Sequence, residues 1–170
     1  ACASLFLPGQ QSSSVARTYR NGFDDNQPSW KVRYSRTRIE ELKQRRNRFI
    51  FHSGRASEQI QFNVKSRDST IQCEHRIPPS RVIDDLLASI WVRSYRNGFQ
   101  ISLRVIFPRQ KDPRTGAVLS ALVRGDTYNQ APNWQQLNCT VLQKQLAERL
   151  RRLRNQYHPT VIDARDPYVA

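Results

Sequence analysis

Four stretches of the chain alternate apolar and polar residues with a period of two. "EQIQFNV" sets Ile60, Phe62 and Val64 against Gln59, Gln61 and Asn63, and "TIQCEHRI" lines up Ile71, Cys73, His75 and Ile77. "ISLRVIF" sets Ile101, Leu103, Val105 and Phe107 against Ser102, Arg104 and Ile106, and "QQLNCTV" sets Leu137, Cys139 and Val141 against Gln136, Asn138 and Thr140. Successive side chains of a strand point to opposite faces, so each run builds a strand with one buried face and no amphipathic helix. Shorter strand-like runs occur at "WKVRY" from Trp30, at Ser89 to Arg93 and at "VLSALVRG". Many short strands with turn residues between them predict an all-β antiparallel sandwich or barrel.

The punctuation is equally specific. Pro78-Pro79 ends the second alternating run. Asn97-Gly98, between two strand-like runs, predicts a tight hairpin, because both central residues of such a turn take positive φ. The pentapeptide around it, "YRNGF", occurs at residues 19–23 and again at 95–99, but the flanks diverge into "DDNQPSW" and "QISLRVI". The repeat therefore reads as one turn chemistry used twice, not as a duplicated domain. "PRQKDPRTGAVLS" reads as a loop with two proline stops and a Thr-Gly turn, and "VIDARDPYVA" as the start of a last strand.

Two segments depart from the β pattern. Arg38 to Arg48 is rich in helix formers, and local propensity predicts a short helix there, with a charged loop between strands as the alternative. In "QKQLAERLRRLRNQY" and the residue before it, Leu142, Leu146, Leu150 and Leu153 recur at helical spacing beside Arg149, Arg151, Arg152 and Arg154. This predicts a basic amphipathic helix near the C-terminus, its Leu stripe on the sandwich and its Arg face in water. RNA or an anionic membrane surface is the other use of such a face.

A length of 170 residues suits one domain. Residues 1–18 read as a flexible segment, and "ACASLFLPGQQSSS" has the small residues, Leu-Phe-Leu core and polar spacer of a signal-peptide remnant, which points to an exported or secreted chain. Residues 19–170 form the domain. No apolar run approaches the roughly 20 residues of a membrane-spanning helix.

Lys and Arg number 28 against 14 acidic residues, a net charge of +14 that favours polyanionic partners. Cys2, Cys73 and Cys139 are far apart with no CxxC spacing, which argues against a zinc module; Cys73 and Cys139 sit within apolar alternation and are expected as buried free thiols, with a disulfide as the alternative. A nucleophile elbow, a P-loop, a dinucleotide fingerprint and a metalloprotease helix are all missing, so no enzyme is expected. His75, on an apolar face, reads as a satisfied core histidine. A binding face is better supported: Trp91, Tyr95, Phe99, Tyr128 and Trp134 accompany Arg93, Arg96, Arg104 and Arg124. Rings and guanidinium together suit a sugar, and equally stacked nucleobases and phosphate. A hairpin at Asn97-Gly98 would set Arg93 and Arg104 on one non-core face.

Four elements in order carry a resemblance: Phe23-Asp24 with Trp30, then His52-x-Gly54-x-x-Ser57, then Trp91-Val-Arg93, then Trp134-Gln-x-Leu137. Over residues 20–141 the chain resembles the carbohydrate-binding modules of the galactose-binding-like jelly-roll type attached to xylanases and glucanases. The resemblance implies a jelly roll of two antiparallel sheets and a polysaccharide site on its concave face or end loops. Arg93, Arg104, Trp91, Tyr95 and Trp134 would form that site. It also implies a structural calcium near the opening strand, where Asp24, Asp25 and Ser57 offer oxygens suited to a hard cation. "ARDPYVA" would be the family's last strand cut short, without its acidic ligand. Similar segments precede a catalytic or barrel domain in large exported bacterial proteins. Two alternatives stay open: a basic β domain that binds nucleic acid, and a structural sandwich that docks a neighbouring domain without a small ligand.

Overall fold

Each alternating run folds as the strand its pattern predicts. The computed structural model describes residues 18–36, 38–65, 70–82, 86–141, 143–158 and 161–170; nearly all of the segment read as an export remnant, and Leu142, lie outside them. In chain order the elements are β1 (Trp30–Ser35), β2 (Ile39–Asn47), β3 (Ser57–Val64), β4 (Ile71–His75), β5 (Ser80–Arg81), β6 (Leu86–Val92), β7 (Gln100–Lys111), β8 (Val118–Thr127), β9 (Gln135–Val141), α1 (Gln143–Gln156) and β10 (Tyr168–Val169).

The topology is one of nested ribbons. β2 and β3 pair with each other inside the β1–β4 pair, and β7 and β8 pair inside the β6–β9 pair. β10 enters between β5 and β7 and bonds to both. Among the described residues all the pairings are antiparallel, and the fold is an all-β sandwich with one helix.

The main core lies where the second ribbon pair meets α1. Val105 and Phe107 of β7, Val123 of β8 and Cys139 and Val141 of β9 pack there with Leu146 of α1. Leu150 and Leu153 pack against the same cluster, as the helical leucine stripe predicts. Cys139 is a buried free thiol whose Sγ donates to the Val123 carbonyl at 3.3 Å, and burial raises its pKa. Cys73 is also free.

β8 and β9 approach each other closely at Gly125. A Cβ there would overlap the Asn138 carbonyl oxygen and stand 2.7 Å from the Cys139 Cα. These are backbone atoms, which cannot swing aside as a flexible side chain does. Gly125→Ala is therefore expected to lower stability by about 1–3 kcal/mol through overpacking, as urea unfolding would measure.

Three expectations are corrected. Residues 38–48 form neither helix nor loop, because Ile39–Asn47 is β2, registered on β3 through Leu42 with Phe62, Gln44 with Ile60 and Arg46 with Glu58. Helix propensity amounts to a few tenths of a kcal/mol per residue, and the ladder outweighs it. Asn97-Gly98 is not a hairpin turn. β6 pairs with β9 and β7 with β8, so residues 93–99 cross from one sheet to another. Gly98 (φ 101°) donates to the Tyr128 carbonyl at 2.9 Å, and Asn97 Oδ1 accepts from the Ala131 N–H. In the first pentapeptide it is Phe23 that takes positive φ, over an Asn21 side chain accepting from its N–H at 2.8 Å. The same five residues thus make two different bends, each set by its neighbours. Finally, Pro108 does not stop its strand: β7 runs on to Lys111, with the pairing register shifting between Phe107 and Lys111 where the proline has no ladder bond to supply.

Candidate functional site

β6 and β9 present one buried and one open face, as their alternation requires. Leu86, Ala88, Ile90 and Val92 turn inward with Leu137, Cys139 and Val141. The open face carries three cross-strand pairs: Leu87 with Thr140, Ser89 with Asn138 and Trp91 with Gln136. Trp91 is 40% exposed and Leu87 59% exposed. A large indole on a strand surface beside amides and hydroxyls offers a flat apolar platform with hydrogen-bonding groups at its edge.

Two further elements close on Trp91. The connection between β2 and β3 lays the His52 ring against it, the centroids 3.6 Å apart and the planes within 10° of parallel. Trp134, just before β9, meets the same His52 ring edge-on at 5.8 Å. The connection is pinned from both sides: Asn47 Oδ1 accepts from the N–H groups of Phe49 and Ile50, each at 2.9 Å, and the Ser57 hydroxyl donates to the Ile50 carbonyl. It leaves Phe49 96% exposed, with Ile50 and Phe51 partly open.

Arg93 follows directly on β6, and its Nε donates to the Pro132 carbonyl at 2.9 Å, two residues from Trp134. Tyr95, on the crossing segment, is 85% exposed. Trp91, Trp134 and Arg93 are therefore brought to one end of the β6–β9 sheet, with Tyr95 two residues beyond Arg93 in the chain. Arg104 is not paired with Arg93 as the expected hairpin required. It lies opposite Leu122 of β8, and its guanidinium reaches Glu74 of β4 at 3.1 Å. Tyr128 also leaves the face: it is fully buried, and its hydroxyl lies 3.0 and 2.7 Å from the carbonyls of Ser94 and Asn133 while accepting from the Ser94 N–H. It is a structural pin for the crossing segment.

The calcium expectation meets a different arrangement. Asp24 Oδ1 accepts from the Arg55 N–H at 2.8 Å, the Asp25 carboxylate is held by the Arg46 guanidinium, and the Ser57 hydroxyl is turned to Ile50. A fixed guanidinium beside Asp25 supplies the positive charge that a calcium would bring, so these three residues as placed do not fit a hard dication. Among the described residues, no three His, Cys, Asp or Glu side chains gather at one point.

Arg46 belongs to a larger buried cluster under Trp30. Its side chain is 5% exposed, and it joins Glu58, 2% exposed. The Glu58 carboxylate accepts from the Ser29 N–H at 2.9 Å, the Ser29 hydroxyl at 2.8 Å, the Trp30 N–H at 3.0 Å and the Gln44 amide. Arg46 also reaches the Asp25 and Gln27 carbonyls and lies over the Phe23 ring. His75, edge-on to Phe23, is only half satisfied, against the expectation: Nε2 is 3.4 Å from the Asn21 amide, Nδ1 is buried without a partner, and burial lowers its pKa.

No protein-family model, curated protein or solved structure matches this chain.

Proposed function

We propose that the chain is a non-catalytic binding domain that holds a polysaccharide across the open face of β6 and β9. The observation that carries this reading is the exposed Trp91 indole, stacked on His52 and flanked on its own sheet face by Gln136, Ser89 and Asn138. A pyranose has an apolar face that stacks on an indole and a rim of hydroxyls that pair with amide and hydroxyl side chains. Ligand sites of this kind are largely apolar with a few placed polar groups. Trp134, Arg93 and Tyr95 extend the platform at its rim, where guanidinium also receives a sugar carboxylate or hydroxyl. On this reading the domain acts outside the cytoplasm and keeps a neighbouring domain close to its polysaccharide.

Affinity electrophoresis through gels cast with neutral and acidic polysaccharides tests the proposal. The wild-type domain is expected to be retarded by one class, and Trp91→Ala to weaken that retardation about tenfold or more, as removal of a central aromatic anchor does. The retardation persists at high salt, whereas binding to nucleic acid would fall steeply with it. Unchanged retardation of Trp91→Ala would sink the reading. Arg104 is a poorer probe, because its replacement also removes the ion pair to Glu74.

A further inference from the structure

A second basic feature lies away from the Trp91 face. Val123 and Arg124 of β8 and Arg149 and Arg152 of α1 line one recess of about 140 Å³ together with Gln145 and Glu148. Arg149 and Arg152 stand three residues apart, one above the other on the same side of the helix. Arg124 is exposed, and Val123 beside it carries the contact of β8 with α1.

We infer that this recess is a site for a tetrahedral oxyanion, borne as a sulfate group by the polysaccharide. Three guanidiniums and one carboxylate give the recess a net charge of +2. Elsewhere Arg46, Arg104, Arg109 and Arg165 each meet a carboxylate. Among the described residues, the side chains of Arg124, Arg149 and Arg152 form no ion pair or hydrogen bond, which leaves their planar donor forks free for oxygens. Like charges on two elements repel, and a bound oxyanion turns that repulsion into attraction. The volume suits one oxyanion with a few waters and is too small for a chain of sugar rings. Sulfate is favoured over the phosphates of a nucleic acid because Glu148 interrupts the positive stripe that a continuous phosphate backbone follows. The choice of a polysaccharide as carrier rests on the reading of the Trp91 face; the anion site does not.

Two measurements test the inference. In the first, inorganic sulfate is titrated into the labelled protein at constant ionic strength set with chloride. Saturable shifts at the Nε–H groups of Arg124, Arg149 and Arg152 are expected; shifts spread over all the arginines, or none, would overturn the site. In the second, binding to dextran sulfate and to dextran is compared for R149A, R152A and R154A. Arg154 lies on the opposite side of the helix and carries the same charge. Each of the first two substitutions is expected to weaken dextran sulfate binding about tenfold, the loss of one charge-assisted contact, with R154A unchanged and all three unfolding at the wild-type temperature. An equal loss in R154A would show diffuse charge alone and overturn the site. Displacement of sulfate by a single-stranded oligonucleotide, through the same arginines and without dextran sulfate binding, would overturn the sulfated-polysaccharide assignment. Sulfate binding that survives while Trp91→Ala leaves every polysaccharide interaction intact would keep this site and remove the Trp91 platform.

Discussion

Replacing Glu58 by alanine is expected to destabilise the domain by about 3–5 kcal/mol, the loss seen when one partner of a buried ion pair is removed. Both side chains of the Arg46–Glu58 pair are almost wholly buried, and the carboxylate is ringed by donors from Ser29, Trp30 and Gln44. Truncation leaves those donors unpaired and strips Arg46 of its buried counter-charge, with only the exposed Asp25 carboxylate remaining. Urea unfolding of Glu58→Ala measures the loss; a change below about 1 kcal/mol, the range of a surface pair, would show that the cluster contributes little. The same residue sets a pH dependence. Burial by itself would raise the Glu58 carboxyl, but the hydrogen bonds from Ser29 N–H, Trp30 N–H, Gln44 and the Ser29 hydroxyl together hold it below its ordinary value of 4.5. A carboxyl lowered by folding stabilises the native state fully above its unfolded pKa, and that contribution disappears as pH falls through the folded one. Stability should therefore drop below about pH 4.5 in the wild type and less steeply in Glu58→Gln.

Phe107→Ala is expected to cost about 3–5 kcal/mol for a different reason, the loss of buried apolar surface plus the cavity left behind. Phe107 is fully buried between β7 and its neighbours, in the cluster that receives α1 through Leu146. Ser102, exposed on the other face of β7, is the control, since its change to alanine should stay within about 0.5 kcal/mol. Comparable losses at both positions in thermal or urea unfolding would mean that β7 does not have the two-faced role assigned to it.

These two residues mark what was legible in the chain. Phe107 was readable because a period of two needs only local information: Ile101, Leu103, Val105 and Phe107 share a face whatever strand lies beside them. The basic helix was readable on the same grounds, from leucines spaced by turns. β2 was not. Gln44, Arg46 and Asn47 are among its covered residues, and polar side chains give no apolar rhythm; the partners Trp30, Asp25 and Glu58 on other segments make Gln44 and Arg46 interior. The crossing at residues 93–99 was hidden similarly, because Asn-Gly specifies a bend and not which strands it joins. The binding face was half visible. Trp91, Trp134 and Arg93 were marked by residue type, whereas Arg104 and Tyr128 were drawn elsewhere by Glu74 and by the carbonyls of Ser94 and Asn133. The partner that sequence reasoning missed as a site residue is His52, which carried no signal beyond its place in a short degenerate motif. Its stack on Trp91 depends on a loop brought across from the other ribbon pair.

Asp24 and Asp25 are occupied in tying the first segment to Arg55 and Arg46, a structural use of charge that joins residues far apart in sequence. Among the described residues, Trp91 on the β6–β9 face and the arginines beside α1 are not used in this way.

The most direct test of the polysaccharide reading uses the three tryptophans, whose indole N–H groups give three separate resonances. With the polysaccharide that retards the domain, the Trp91 signal should shift saturably, Trp134 should follow as a rim residue, and Trp30, hydrogen-bonded into the Glu58 cluster, should stay in place. A shift at Trp30 with Trp91 unmoved would place the ligand elsewhere and contradict the account.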